Sequence, residues 1–329
     1  DHADAYSNMG NALNSQGDKK AAIGSYKQAI KIKPNHAEAY NNMGNVLRNQ
    51  GDTVAALVCY QQVLQINPAH AGAHNNIGLA QIDQGDTDAA LISYKEAIGV
   101  DPTYAEAHHN IAIALWVGGK LEAAINSFKQ AIYLNPHHTG AYNNMGNAQR
   151  DNGDLDAALD SYKQALDISP SAETHFNMGI ALMEKGDLKT AMESYERAIS
   201  IKPNYADAHI NKAALHLRLL DFEAGWQSFE WRWKVSKDTP QFLNTSKPLW
   251  KPLMKQRVLL WGEQGLGDEI MFASLILDMH SLSSKLIVQT DQRLVDLFKR
   301  SFPDNIDFRP HNEIVSETEY DAHMPLGSA

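Results

Sequence analysis

Through the first two thirds of the chain, apolar residues recur three and four positions apart in block after block, the spacing that places them on one face of an α-helix. Every second block is closed by a proline, at Pro34, Pro68, Pro102, Pro136, Pro170 and Pro203. The period is 34 residues with one step of 33, a length that marks a stacked supersecondary unit. Two helices per unit follow from the punctuation inside it. Gly17-Asp18, Gly51-Asp52, Gly85-Asp86, Gly153-Asp154 and Gly186-Asp187 put glycine where a helix ends in the left-handed conformation and aspartate where the next one needs a cap. Gly119-Lys120 departs from the pattern and predicts a weaker cap.

Small residues recur inside the first helix of each unit, at Gly10, Gly44, Gly78, Ala112, Gly146, Gly179 and Ala213. A glycine there costs about 1 kcal/mol relative to alanine, so close helix approach has to compensate. Ala22, Ala56, Ala90, Ala124, Ala158 and Ala191 in the second helix are the counterparts. Tyr26, Tyr60, Tyr94, Phe128, Tyr162 and Tyr195, one turn later, fill the larger gaps.

Taken together, an aromatic or His at the fourth place, small residues at the eighth and twentieth, an aromatic at the twenty-fourth and proline at the thirty-second resemble the tetratricopeptide (TPR) family. Six full repeats begin near Ala3, Ala37, Ala71, Ala105, Thr139 and Ala172, and a seventh helix pair begins at Ala206. The resemblance covers residues 1–234 and implies a mainly all-α right-handed superhelix, with the first helices on its concave wall.

Packing does not account for the sixth place. Asn8, Asn42, Asn76, Asn110, Asn144, Asn177 and Asn211 occupy it in all seven units, although asparagine competes with the helix for backbone hydrogen bonds. The place lies off the packing face, so the side chains are expected to point into the groove. A carboxamide matches the donor and acceptor of a peptide bond, so the ladder predicts binding of an extended polypeptide; amides that bridge neighbouring helices are the alternative. Asn41, Asn75, Asn143, Asn11, Asn45 and Asn147 widen the expected polar strip. The row resembles that of the O-linked N-acetylglucosamine transferases, in which it holds acceptor polypeptide.

A net charge of −10 without a basic stripe argues against nucleic acid or an anionic membrane as partner, and no apolar run is long enough for a membrane span. The single cysteine, Cys59, gives no disulfide framework and favours a reducing, cytoplasmic setting. The pairs His108-His109 and His137-His138 look metal-like, but neighbours along a helix do not face one another. With no Cys or carboxylate seen at ligand spacing, structural histidines and no metal are expected. Self-association through repeat surfaces stays open. The chain begins without Met, so a targeting segment in a longer parent would not be visible.

The helical pattern breaks after an aromatic stretch, Trp226, Phe229, Trp231 and Trp233, and prolines 240, 248 and 252 mark residues 235–256 as a linker. From residue 257 the texture is α/β: strands at 257–261, 285–289 and 306–309, helices at 269–282 and 293–301, and a glycine-rich loop at 262–268. This predicts a parallel, truncated Rossmann-like half domain over 257–329. The loop has no third glycine where Ile270 stands, and Asp268 and Glu269 sit where a pyrophosphate would go, so a dinucleotide site is not expected.

The run RVLLWGEQGLGDEIMFA, from Arg257 to Ala273, resembles the N-terminal half of GT-B glycosyltransferases, the heptosyltransferases among them. That resemblance implies Asp268 as catalytic base and Glu263 and Gln264 on the acceptor side. It also implies a nucleotide sugar held by a second domain, so this chain by itself, with no cofactor of its own, is expected to be inactive.

Overall fold

The computed structural model describes residues 2–235, 243–251, 254–263 and 265–328; Pro240 and Pro252 of the expected linker lie outside them. The chain forms two compact units, Asp1–Lys202 and Pro203–Ala329.

The first unit is six helical hairpins: α1 (His2–Ser15) with α2 (Lys19–Ile32), α3 (Ala37–Arg48) with α4 (Thr53–Ile66), α5 (Ala71–Asp83) with α6 (Thr87–Val100), α7 (Ala105–Val117) with α8 (Leu121–Leu134), α9 (Thr139–Asp151) with α10 (Leu155–Ile168), and α11 (Ala172–Lys185) with α12 (Leu188–Ile201). Each turn is built as the dipeptide chemistry dictates. Gly17, Gly51, Gly85, Gly153 and Gly186 take φ of 83–87°, and the carboxylates of Asp18, Asp52, Asp86, Asp154 and Asp187 accept the backbone N–H three residues on. Lys120 supplies no such bond, and α8 starts uncapped by a side chain. A second cap was not anticipated: Nδ1 of His36, His70 and His138 accepts the third backbone N–H of α3, α5 and α9.

The mid-helix glycines are explained by their partners. A β-carbon on Gly10, Gly44, Gly146 or Gly179 would stand 2.5 Å from a ring carbon of Tyr26, Tyr60, Tyr162 or Tyr195, inside any real contact. These rings and the alanines at the twentieth place are essentially inaccessible to solvent, and burial of each ring contributes about 2 kcal/mol. Successive first helices, α1, α3, α5, α7, α9 and α11, approach one another along the stack. Successive second helices do so less, which puts the first helices on the inside of the bend.

The second unit contains α13 (Ala206–Arg218) and α14 (Phe222–Phe229), then a sheet of β1 (Arg257–Trp261), β2 (Lys285–Thr290), β3 (Asp307–Pro310) and β4 (Ala322–Pro325) in the order β3-β2-β1-β4. All three pairings are parallel; Leu259 lies opposite Ile287 and His323. β1 and β2 are buried on both faces, as parallel strands covered on both sides must be. α15 (Leu266–Phe272), α16 (Ile276–Leu282) and α17 (Gln292–Ser301) complete it, with a core that includes Val258, Leu260, Ile276, Leu286, Val288, Phe298 and Phe308.

Two differences from expectation stand out. The helix expected at 269–282 begins at Leu266 and is broken into α15 and α16 by a 3₁₀ turn at Ala273–Leu275. β4 was not foreseen, because four residues with a histidine among them carry no strand pattern of their own; pairing with β1 supplies it. The aromatic α14 packs within this unit, Trp226 edge-on to Phe272 at 5.9 Å, and Trp233, just beyond α14, lies 5.8 Å from Trp261.

Candidate functional site

The sixth-place asparagines stand on the first helices, on the inner side of the stack. Their amide N–H groups reach back one hairpin: Asn42 donates to Oδ1 of Asn11 at 3.1 Å, Asn76 to Asn41 at 2.9 Å, Asn110 to Asn75 at 2.8 Å, Asn144 to Nε2 of His109 at 3.2 Å and Asn177 to Asn143 at 3.2 Å. Four of these five acceptors, all but Asn11, occupy the fifth place of the preceding unit. The amides thus hold hairpin to hairpin, the alternative weighed from sequence.

One donor is spent in each case, and a carboxamide has more to offer. Among the described residues, Oδ1 of Asn42, Asn76 and Asn110 takes no hydrogen bond. These three side chains and Asn144 are half-buried, Asn8 is exposed and Asn177 is 9% exposed. Oδ1 of Asn144 accepts from Asn143 at 3.3 Å. Asn211, half-buried, belongs to the other unit.

The flanking strip separates into two populations. Asn41, Asn75 and Asn143 are the acceptors just described. Asn11, Asn45 and Asn147 accept the hydroxyl protons of Tyr26, Tyr60 and Tyr162 at 2.7–2.8 Å, tying the two helices of a hairpin together. Where the aromatic is Phe128, with no hydroxyl, the matching place holds Ile113, but Leu79 and Ile180 stand at the same place opposite Tyr94 and Tyr195, so the sequence does not fix this pairing.

The histidine pairs do not act as pairs. His108 turns to the carbonyl of Pro102 at 3.4 Å, while His109 and His138, from successive hairpins, bring their ring centroids to 4.5 Å. Glu106, three residues before His109, lies 3.5 Å from Nε2 of His138. The expectation that no carboxylate sits at ligand spacing is therefore corrected: the i,i+3 pair Glu106 and His109 was overlooked. Burial, with the neighbouring His138, lowers the pKa of His109 to about 4.

In the second unit, Asp268 is the third residue of α15, half-buried, and its carboxylate takes no hydrogen bond among the described residues; it does not cap the helix. Glu263 is held by Arg232 through both oxygens, at 2.9–3.2 Å, with its side chain 1% exposed. Burial pushes its carboxyl up and Arg232 draws it only part of the way back. Glu263 is thus engaged in fastening the loop after β1. Gln264 lies outside the described residues.

The sequence reading passed over Glu269. It is 3% exposed and accepts from Thr290 Oγ1 at 2.5 Å, from the Asp291 backbone at 2.8 Å and from His311 at 2.7 Å. Burial works against its charge, but these three donors outweigh it and lower the pKa. The network sits at the carboxyl ends of β2 and β3, where open parallel sheets bind ligands. Beside β4 a cleft of about 730 Å³ is lined by Trp226, Trp233, Leu249, Trp250, Phe272 and Met324, with Glu230 and Ser274 among the few polar groups.

Among known proteins, family models described as "TPR repeat" match residues 10–51, 80–117 and 179–219, and others described as "Tetratricopeptide repeat" match 37–70 and 109–173. Protein FlbA of Caulobacter vibrioides is 31% identical over 112 residues, which are 32% of this chain and 18% of FlbA; the chain thus spans under a fifth of that relative's length. Of solved structures, the APC/C hetero-tetramer Cut9–Hcn1 superposes with a TM-score of 0.58 at 18% identity, over 66% of this chain and 42% of that one. Pseudomonas aeruginosa pilF does so with a TM-score of 0.56 at 19% identity, over 65% and 97%. At these identities the likeness is one of fold. No helix among the described residues is long and apolar enough to cross a membrane.

Proposed function

We propose that this chain, whose helical hairpins belong to the tetratricopeptide-repeat family, is a protein-interaction module that grips an extended polypeptide along the first-helix side of its repeats. One observation carries the reading. Asn42, Asn76 and Asn110 spend one amide proton on the preceding hairpin and keep a carbonyl oxygen free at a half-exposed surface. Such oxygens accept guest backbone N–H groups, which every sequence provides except at proline. Affinity then comes with little sequence choice. The buried cysteine, its thiol pushed up to about 11 mainly by burial, is compatible with a reducing, cytoplasmic setting.

The same proposal extends to a longer parent. There the second unit would be the first half of a GT-B-type transferase, with the repeats presenting acceptor protein and Asp268 taking the proton of its hydroxyl. The all-parallel order β3-β2-β1-β4 and the uncommitted carboxylate of Asp268 support this reading. A nucleotide sugar would then be the donor, held by further chain. The competing reading is a pure scaffold with the sheet as a structural cap.

A peptide-array assay separates the roles of the ladder. The variant with Asn42, Asn76, Asn110 and Asn144 all changed to Ala is expected to lose array binding while still folding at 25 °C. Loss of each inter-hairpin bond costs about 1 kcal/mol, so its thermal midpoint falls as well. Unchanged array binding with a lowered midpoint would leave the ladder a purely structural device.

A further inference from the structure

We infer that Glu106, His109 and His138 form a zinc-binding site at the joint between the fourth and fifth hairpins. Glu106 and His109 lie one helical turn apart on α7 and so share a face; His138 stands immediately before α9. One donor atom from each comes within 4.8 Å of the other two. Glu106 Oε1 and His138 Nε2 are 3.5 Å apart. Ligand atoms on a tetrahedral zinc with bonds of about 2.0–2.1 Å stand roughly 3.4 Å from each other. Nε2 of His138 is buried and, among the described residues, has no hydrogen-bond partner.

The first two hairpins provide an internal contrast at the same three places. There Asp4 and His36 close to 3.1 Å, an ordinary hydrogen bond, and the place of His109 is taken by Ser7. Between the fourth and fifth hairpins the carboxylate–imidazole gap is wider and a second imidazole stands beside it. Two nitrogens and one oxygen select a borderline transition metal over magnesium or calcium, which want oxygen alone. Three protein ligands leave a fourth position for water or for a donor from a bound guest.

Binding has a defined local consequence. Nδ1 of His138 now accepts the Ala141 N–H, so the neutral ring carries its proton on Nε2. Ligation through Nε2 moves that proton to Nδ1 and opens the cap of α9. Zinc binding is therefore coupled to the first turn of that helix and, where His109 ligates through Nε2, to the bond that this nitrogen takes from Asn144.

Isothermal titration of the full chain with zinc chloride tests the site, alongside Glu106→Gln, His109→Gln and His138→Asn. Asparagine is itself a good cap, so His138→Asn removes the ligand and retains the helix start; Glu106, with its side chain 53% exposed, is replaced without disturbing the core. One zinc per chain is expected, with affinity reduced in each variant by at least about tenfold, a loss that even outer-shell partners cause. Cobalt in place of zinc is expected to give a tetrahedral visible spectrum that the variants lack. An Asp4→Gln control is expected to bind as the unaltered chain does. Absence of zinc binding, or affinity unchanged in all three variants, overturns the site and leaves His138 a cap alone.

Discussion

At Gly146 a single added methyl group would collide with the ring of the partner helix. Its β-carbon would fall 2.5 Å from Cε1 of Tyr162, a ring with no room to retreat. Gly146→Ala gains about 1 kcal/mol of helix propensity, but overpacking costs about 1–3 kcal/mol, so a net loss of stability is expected as a lowered urea midpoint. The sequence carries this relation openly, since small residue and ring recur at fixed places. The pairing of Asn11, Asn45 and Asn147 with tyrosine hydroxyls is less legible, since Leu79 and Ile180 stand opposite Tyr94 and Tyr195. The sequence does not carry the Glu106, His109 and His138 cluster, because the partner of an i,i+3 pair arrives from another hairpin. Nor does it distinguish Asp268 from Glu269: adjacent carboxylates look alike until the helix start at Leu266 turns one toward Thr290 and His311 and leaves the other without a hydrogen bond among the described residues.

Helix ends were readable because Gly-Asp combines a left-handed residue with a cap, and both chemistries are local. The seventh pair shows what happens without the glycine. Leu220 occupies the equivalent turn at φ 63°, where an L side chain is strained by about 1–2 kcal/mol, while Asp221 still caps α14. Leu220→Gly is expected to raise the stability of the second unit by about 0.5–1 kcal/mol once the glycine's entropy is set against the relieved strain; differential scanning calorimetry reads this as a higher midpoint. The strand β4 was opaque for the opposite reason. Its conformation is imposed by register with Val258–Trp261, a long-range relation that a four-residue pattern does not encode.

Across the first unit, each hairpin contacts chiefly its neighbours, so its stability is a sum of hairpins and the joints between them. Burial, the largest cause in each case, pushes the Tyr60 and Tyr94 hydroxyls to about 12, and it raises Tyr162 as well. A pKa raised on folding stabilises fully below the unfolded value near 10 and is lost as pH passes the folded value. The array is therefore expected to unfold between about pH 10 and 12, read as loss of helical ellipticity. Helical ellipticity retained in full beyond about pH 12 would contradict it.

The central claim is that the ladder's unspent oxygens take backbone N–H groups of a guest. Titration of one array-selected peptide against its scrambled and N-methylated forms tests this most directly, because methylation removes donors and leaves the side chains in place. The account predicts near-equal affinity for the scrambled peptide and a loss of about tenfold or more for the methylated one, as expected when at least one good hydrogen bond is forfeited. A methylated peptide that binds as tightly as the original, with the scrambled one failing to bind, would contradict it.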